Sequence, residues 1–277
     1  MPISQNPDDK SAPAILLLGD TREAEELNEI LQKRPDCTMM RAKDLASTAV
    51  GPGFFDPLAT VEGFDHVLRT RSIRLVINAA NPYDAALSDR AMAAATAADR
   101  PILRVMRPAW QRDLLDSWID VGSVSAAADI CRWYGKRIMI TLGESDLTPF
   151  AGNERGHFIV RLPTVPATPL QLNHYDLIIG QGPFAWVDER RLMMEQQIDL
   201  LVSRNIGGLD SYAKIDVARD LAIPVVMISR PPQPLRASAD NVAQAMIWID
   251  AWRQTEPAQI DDSLRTGEKK ATTADSE

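Results

Sequence analysis

Short apolar runs that alternate with longer amphipathic stretches are the feature that most narrows what this chain can fold into. That rhythm is the signature of repeated strand, helix, strand units around mainly parallel sheets, so the fold class is α/β. The run at 14–18 reads as the first strand. Thr21 then caps a helix whose stripe is Ala24, Leu27, Ile30 and Leu31, ended by Lys33, Arg34 and Pro35. Further strands are predicted at 37–41, 74–78, 102–105, 137–141, 157–161, 176–179, 199–203 and 224–229. Helices are predicted over 62–70, 84–98, 123–134, 186–196, 210–221 and 240–252, and the Gly- and Pro-rich stretch 47–57 reads as a loop.

A length of 277 residues favours two domains. A partial internal repeat agrees. Leu75-Val76-Ile77-Asn78 precedes a turn, an Ala-rich helix, Pro101-Ile102-Leu103 and Arg107-Pro108; Leu200-Leu201-Val202-Ser203 precedes a turn, a helix, Pro224-Val225-Val226 and Arg230-Pro231. The expected layout is a tail at 1–13, a first half at 14–120, a second half at 121–252 and a polar tail at 253–277, both tails disordered, with the chemistry in a cleft between the halves.

A formal charge of −8 argues against nucleic acid as the main partner. No apolar run is long enough to cross a bilayer, and residues 1–13 lack the basic start and apolar centre of a secretion signal, so a cytoplasmic protein is expected. Cys37 and Cys131 read as buried thiols, and His66, His157 and His174 are scattered, so no metal site is indicated. Arg104, Arg107, Arg112, Arg161, Arg204, Lys214 and Arg230 fall near predicted strand ends, where open α/β sheets place ligands, which suggests an anionic small molecule.

Several strand-to-helix turns could carry chemistry. Gly19-Asp20-Thr21 leads into a helix N-terminus that favours an anion, or is simply a tight turn, since the full GxGxxG fingerprint is absent. Asn81-Pro82-Tyr83-Asp84 offers amide, phenol and carboxylate, or a plain turn with Asp84 as a cap. Ser203, Arg204, Asn205, Ile206, Gly207 and Gly208 form the most informative loop, because paired glycines let backbone approach a phosphate while Arg204 supplies a fork of donors. Gly182-Pro183-Phe184 and Thr141-Leu142-Gly143 have similar placement, functional or structural. No GxSxG, HExxH or paired-carboxylate motif stands out, which leaves chemistry carried by a bound cofactor, such as redox transfer.

Taken in order, several segments resemble the precorrin-6A reductase family of cobalamin biosynthesis: ILLLGDTREAEEL at 15–27, RLVINAANPYDAALS at 74–88, ILRVMRPAW at 102–110, the turn at 141–143, Gly182-Pro183-Phe184, LLVSRNIGGLDSYAKIDVAR at 200–219 and IPVVMISRPP at 223–232. The resemblance implies two Rossmann-like domains and NADPH as hydride donor, reducing precorrin-6A to precorrin-6B. On that reading Gly182, Pro183, Phe184, Ser203, Arg204, Asn205, Gly207 and Gly208 hold the cofactor from the second half. Gly19, Thr21, Asn81, Pro82, Arg107 and Thr141 line the tetrapyrrole side, and Tyr83, Tyr212, Lys214 or water gives the proton. Other corrin-pathway enzymes are possible partners, and the chain is expected as a monomer or homodimer. Departures are Asp20 where the family has glycine, Asn81 where it has histidine, and Arg204 and Ile206 where it often has lysine and serine. They motivate the alternative of a non-catalytic tetrapyrrole- or nucleotide-binding paralogue.

Overall fold

The computed structural model describes residues 13–46, 56–232 and 237–255. Most of the expected loop at 47–57 and nearly all of both expected tails lie outside them.

The first elements are β1 (Ala14–Leu18), α1 (Arg22–Leu31), β2 (Thr38–Arg41), α2 (Ala42–Ala46), α3 (Val61–Thr70), β3 (Ile73–Asn78), α4 (Ala85–Ala97) and β4 (Ile102–Val105). They are followed by β5 (Trp118–Val121), α5 (Val124–Trp133), β6 (Arg137–Ile140), β7 (His157–Leu162), β8 (Tyr175–Ile179) and α6 (Trp186–Glu195). The last are β9 (Leu200–Arg204), α7 (Ala213–Asp220), β10 (Val225–Ile228), β11 (Ser238–Ala239) and α8 (Val242–Thr255).

Two sheets result. The first has the order β2-β1-β3-β4-β11 and the second β8-β7-β6-β9-β10-β5. Every strand pairing in both is parallel. Parallel strands need both faces covered, which is why their sequences are apolar throughout rather than alternating. In the second sheet, for example, Ile138 and Ile140 join a core with Ala127, Ala128 and Cys131 of α5. The intervening Met139 joins another core with Met193 of α6 and Ile215 and Ala218 of α7.

The chain divides into two compact units. The first holds the described residues up to 79, those at 90–105 and those from 237 on; the second holds 80–89 and the described residues of 106–236. The expected boundary near residue 120 therefore moves, and it does so for a pairing reason. β5 hydrogen-bonds to β10 in the second sheet, whereas β11 hydrogen-bonds to β4 in the first. α8 goes with β11: Val242, Ala245, Ile249 and Trp252 pack in one core with Ile15, Leu17, Leu75 and Leu103. The strand that follows each Arg-Pro of the repeat thus pairs in the sheet that does not contain the strand before it.

Local signals explain most helix limits. Thr21, Thr60 and Ser123 cap α1, α3 and α5 by accepting from the amides of Ala24, Gly63 and Ala126. α4, α6 and α7 end in left-handed residues that are not glycine, Asp99, Gln197 and Ala222, with φ of 51°, 51° and 53°. In each, the next amide returns to the last turn, from Arg100 to Ala95, Ile198 to Met193 and Ile223 to Ala218.

Candidate functional site

In an open parallel sheet, ligands bind beyond the carboxyl ends of the strands where the strand order reverses. In the first sheet that point lies between β1 and β3, and in the second between β6 and β9. The predicted loops after β1, β3, β6 and β9 are the exits of these strands, whereas the one at 182–184 follows the edge strand β8.

At the first switch point the turn after β1 is closed on itself. Gly19 has φ of 101°, the Thr21 hydroxyl donates to the Ala79 carbonyl at 2.7 Å, and the Ala79 amide donates to the Leu18 carbonyl at 3.0 Å. With its oxygen also accepting from Ala24, Thr21 is a latch between two strand exits. Arg41, at the end of β2, is held by both carboxylate oxygens of Glu25 and reaches the Gly19 carbonyl at 3.4 Å.

The second unit collects nearly all the other predicted site residues, including Asn81, Pro82, Tyr83 and Arg107, which the expected layout assigned to the first half. Asn81 is exposed, and its side-chain oxygen accepts from the Tyr83 amide, an Asx turn, while Asp84 caps α4 through Leu87. The Tyr83 hydroxyl donates to the Ile228 carbonyl at 2.6 Å, and burial pushes its pKa up to about 12. The Arg204 guanidinium lies 4.5 Å from the centre of the Tyr83 ring and is paired with Asp146 at 2.9 Å. Its Nε is buried without a hydrogen-bond partner among the described residues. Thr141, at the exit of β6, bonds the Val202 carbonyl through both its amide and its hydroxyl, which ties the β6 and β9 exits together.

The α-carbons of the glycine pair face the protein's own chain. Gly207 and Gly208 have φ of 73° and 72°. A Cβ on Gly207 would lie 2.0 Å from the Pro108 carbonyl oxygen, and one on Gly208 would lie 2.5 Å from the Arg107 side chain. What approaches the loop at these α-carbons is the segment around Arg107-Pro108. Asn205 clamps the same segment by donating to the Trp110 carbonyl at 3.0 Å and accepting from the Trp110 amide at 2.7 Å, while Trp110 Nε1 donates to the Gly208 carbonyl at 2.6 Å. Arg230 completes the clamp. A Gly207→Ala variant is expected to lose about 2–3 kcal/mol, because left-handed φ and contact with fixed backbone both penalise a methyl group there. Urea unfolding of variant and parent measures the difference.

Ser203 is buried within β9, and its hydroxyl sits 3.2 Å from the Arg204 carbonyl. The exit of β8 is a compact turn with a cis Gly182-Pro183 bond. The Phe184 ring lies where a Cβ on Gly180 or Gly182 would point, at 3.2 and 3.4 Å, and the Arg161 guanidinium stacks 3.9 Å from the ring centre. Arg161 is in turn ion-paired with Glu189 inside the protein. Lys214, at the start of α7, is also buried; its Nζ donates to the Ser211 carbonyl at 2.7 Å and lies 5.3 Å from the Trp110 ring centre. Burial, with the nearby Arg161 charge, pulls its pKa down to about 7. The Tyr212 hydroxyl accepts from Arg219 at 2.5 Å.

The arginine cluster therefore looks different in three dimensions. Arg104 bonds both oxygens of Asn78, Arg112 pairs with Asp120, and Arg107 lies 3.8 Å from Asp210. With Arg161, Arg204, Lys214 and Arg230 as described, every cation of that series has a partner within the protein. Their number by itself does not indicate an anionic ligand. The sequence reading missed Asp146, Glu189 and the clamping role of Trp110 and Arg230. The repeated Arg-Pro was a signal for the last of these.

Cys37 and Cys131 are both buried. Among the described residues no group of three or more His, Cys, Asp and Glu could hold a metal, and no helix is long and apolar enough to cross a membrane.

Two parallel sheets whose switch-point exits carry glycine turns and polar side chains define a Rossmann-like α/β protein. Comparison with known proteins narrows the class. The chain belongs to the family described as precorrin-6x reductase CbiJ/CobK, whose model matches residues 14–250. It is 32% identical over 244 residues to a precorrin-6A reductase of Rhodococcus erythropolis, covering 85% of this chain and 96% of that one. It is 32% identical over 238 residues to the precorrin-6A reductase of Mycobacterium tuberculosis (strain H37Rv), with the same coverage. A solved structure of CobK precorrin-6A reductase matches with a TM-score of 0.77 at 26% identity, over 88% of this chain and 99% of that one.

Proposed function

We propose that this chain reduces precorrin-6A to precorrin-6B in cobalamin biosynthesis, with NADPH as the hydride donor. The observation that carries the reading is membership of the reductase family over residues 14–250, and the switch point of the second sheet, where open parallel sheets bind ligands, supports it.

The residues fit a dinucleotide there. The buried, unpartnered Nε of Arg204 among the described residues is a donor suited to an anion at the β9 exit. The β8 exit, with Gly182, Pro183 and Phe184, lies three strands from β9 along the same carboxyl edge, about 14 Å at the usual strand spacing. Gly182, Pro183 and Phe184 at the β8 exit and Arg204, Asn205, Gly207 and Gly208 at the β9 exit would hold the dinucleotide. When bound, NADPH supplies the hydride.

The protein's part is then to hold both ligands in register, since orientation supplies much of the rate effect. Arg107 and the exposed Asn81 amide are assigned to carboxylates of the macrocycle, with Pro82 and Thr141 shaping its surroundings. The completing proton is assigned to water. Tyr83 spends its proton on the Ile228 carbonyl, Lys214 is buried against Ser211, and Tyr212 is engaged with Arg219. All three act as positioning groups in this reading.

Mixing the purified chain with NADPH and precorrin-6A tests it. The expected result is loss of reduced-nicotinamide absorbance in step with a change in the macrocycle spectrum. Binding of both ligands without turnover would assign the chain to the non-catalytic alternative, and binding of neither would remove both readings.

A further inference from the structure

We infer that Arg230 is the positioning residue of the glycine loop: it gathers the loop's carbonyl oxygens behind the chain and so turns backbone N–H groups toward a phosphate of the bound dinucleotide. The inference rests on the reading that this loop holds NADPH.

Arg230 follows β10, and its guanidinium makes three charge-assisted hydrogen bonds to backbone. Nε donates to the Asn205 carbonyl at 2.7 Å, Nη2 to the Ile206 carbonyl at 2.7 Å and Nη1 to the Arg107 carbonyl at 2.8 Å. The planar fork spreads its donors over three nitrogens to reach three carbonyls on two chain segments; a lysine ammonium, whose donors share one nitrogen, does not reproduce that geometry.

The consequence follows from peptide planarity. In a trans peptide the C=O and the next N–H point in opposite directions. With the Ile206 carbonyl drawn onto Arg230, the Gly207 amide is turned away from the guanidinium. With the Gly208 carbonyl accepting from Trp110 Nε1, the Leu209 amide is likewise turned away from Trp110. The Asn205 carbonyl is drawn back too, and the Ile206 amide closes locally on the Arg204 carbonyl at 3.0 Å. Arg107-Pro108 fits the pattern, because its carbonyl is held by Arg230 and the proline has no amide to misdirect. Glycine at 207 is part of the device: a Cβ there would lie 2.5 Å from Arg230 Nη2 and push the guanidinium off its acceptors. The arginine touches no ligand itself, and its charge sits behind the amides it aims.

Fluorescence titration of the full chain with NADPH, alongside steady-state rates, tests the assignment. In Arg230→Lys the NADPH Kd and KM are expected to rise at least about tenfold while kcat at saturating NADPH changes by less than about threefold. Tetrapyrrole affinity should fall by much less, through the Arg107 carbonyl that Arg230 also holds. In Arg230→Ala, added guanidinium ion should restore part of the NADPH affinity, a rescue that general loosening of the fold would not show. Thermal unfolding of each variant confirms that it is folded, and Arg230→Lys carries the test if Arg230→Ala is not. A parent chain that does not bind NADPH overturns the functional reading itself. A parent that binds, with Arg230→Lys binding equally tightly, overturns the role of Arg230 alone. Equal loss of NADPH and tetrapyrrole affinity would make the arginine merely structural and also overturn it.

Discussion

A Glu189→Ala variant is expected to unfold about 3–5 kcal/mol more easily than its parent, the cost of leaving one member of a buried ion pair without its partner. Glu189 and Arg161 have side chains only 1% and 7% exposed, so water cannot replace the lost carboxylate. Arg161 would be left with a full charge in a medium that solvates it poorly, stacked on Phe184 and facing the Lys214 amine. Replacing both members, Glu189→Leu with Arg161→Met, should recover most of the loss, because neutral side chains of similar size need no counter-charge. Urea midpoints for the two singles and the double measure the coupling. A single Glu189→Ala that costs under 1 kcal/mol would show that the pair is hydrated.

Lys214→Met should remove a contribution that makes the protein's stability rise with pH in the alkaline range. The amine's pKa falls from its ordinary 10.5 to about 7 on folding. Between those values the unfolded chain binds a proton that the folded chain does not, so this residue makes stability rise with pH across that window. Its penalty is full below pH 7, where a charged amine stays buried at the positive end of α7, and is gone above pH 10.5. Each unit of depression corresponds to about 1.4 kcal/mol, so the whole window is worth several. The methionine variant is expected to be the more stable protein at pH 6, with the advantage shrinking steadily toward pH 10. Unfolding midpoints at pH 6, 8 and 10 decide the matter; parallel curves for parent and variant would mean that the amine is solvated in the folded state.

Much of this architecture can be read from the chain because parallel strands buried on both faces leave short, unmixed apolar runs. β1, β3, β4, β6, β7, β9 and β10 all show them. β5 and β11 did not stand out: β5 is a half-buried edge strand containing Asp120, and β11 has two residues. α7 begins at Ala213 rather than at residue 210, because the stretch after the glycine pair spends its residues on a turn. No periodicity says which sheet a strand will join, and so the domain boundary and the place of α8 were out of reach. The site divides in the same way. Its loops were found because their position follows from strand order, but the state of their side chains was not, since the partners are distant in sequence. Asp146 is 58 residues from Arg204, and Asn205 is 95 from Trp110. A row of arginines read in one dimension looks like spare positive charge, whereas here each is spoken for.

The exchange of closing strands sets a limit on how this protein can be taken apart. Cutting the chain near residue 120 would strip β11 and α8 from β4 and separate β5 from β10, leaving two fragments with naked sheet borders prone to stick to each other or to themselves. Neither fragment would be an autonomous module that could be grafted or swapped alone.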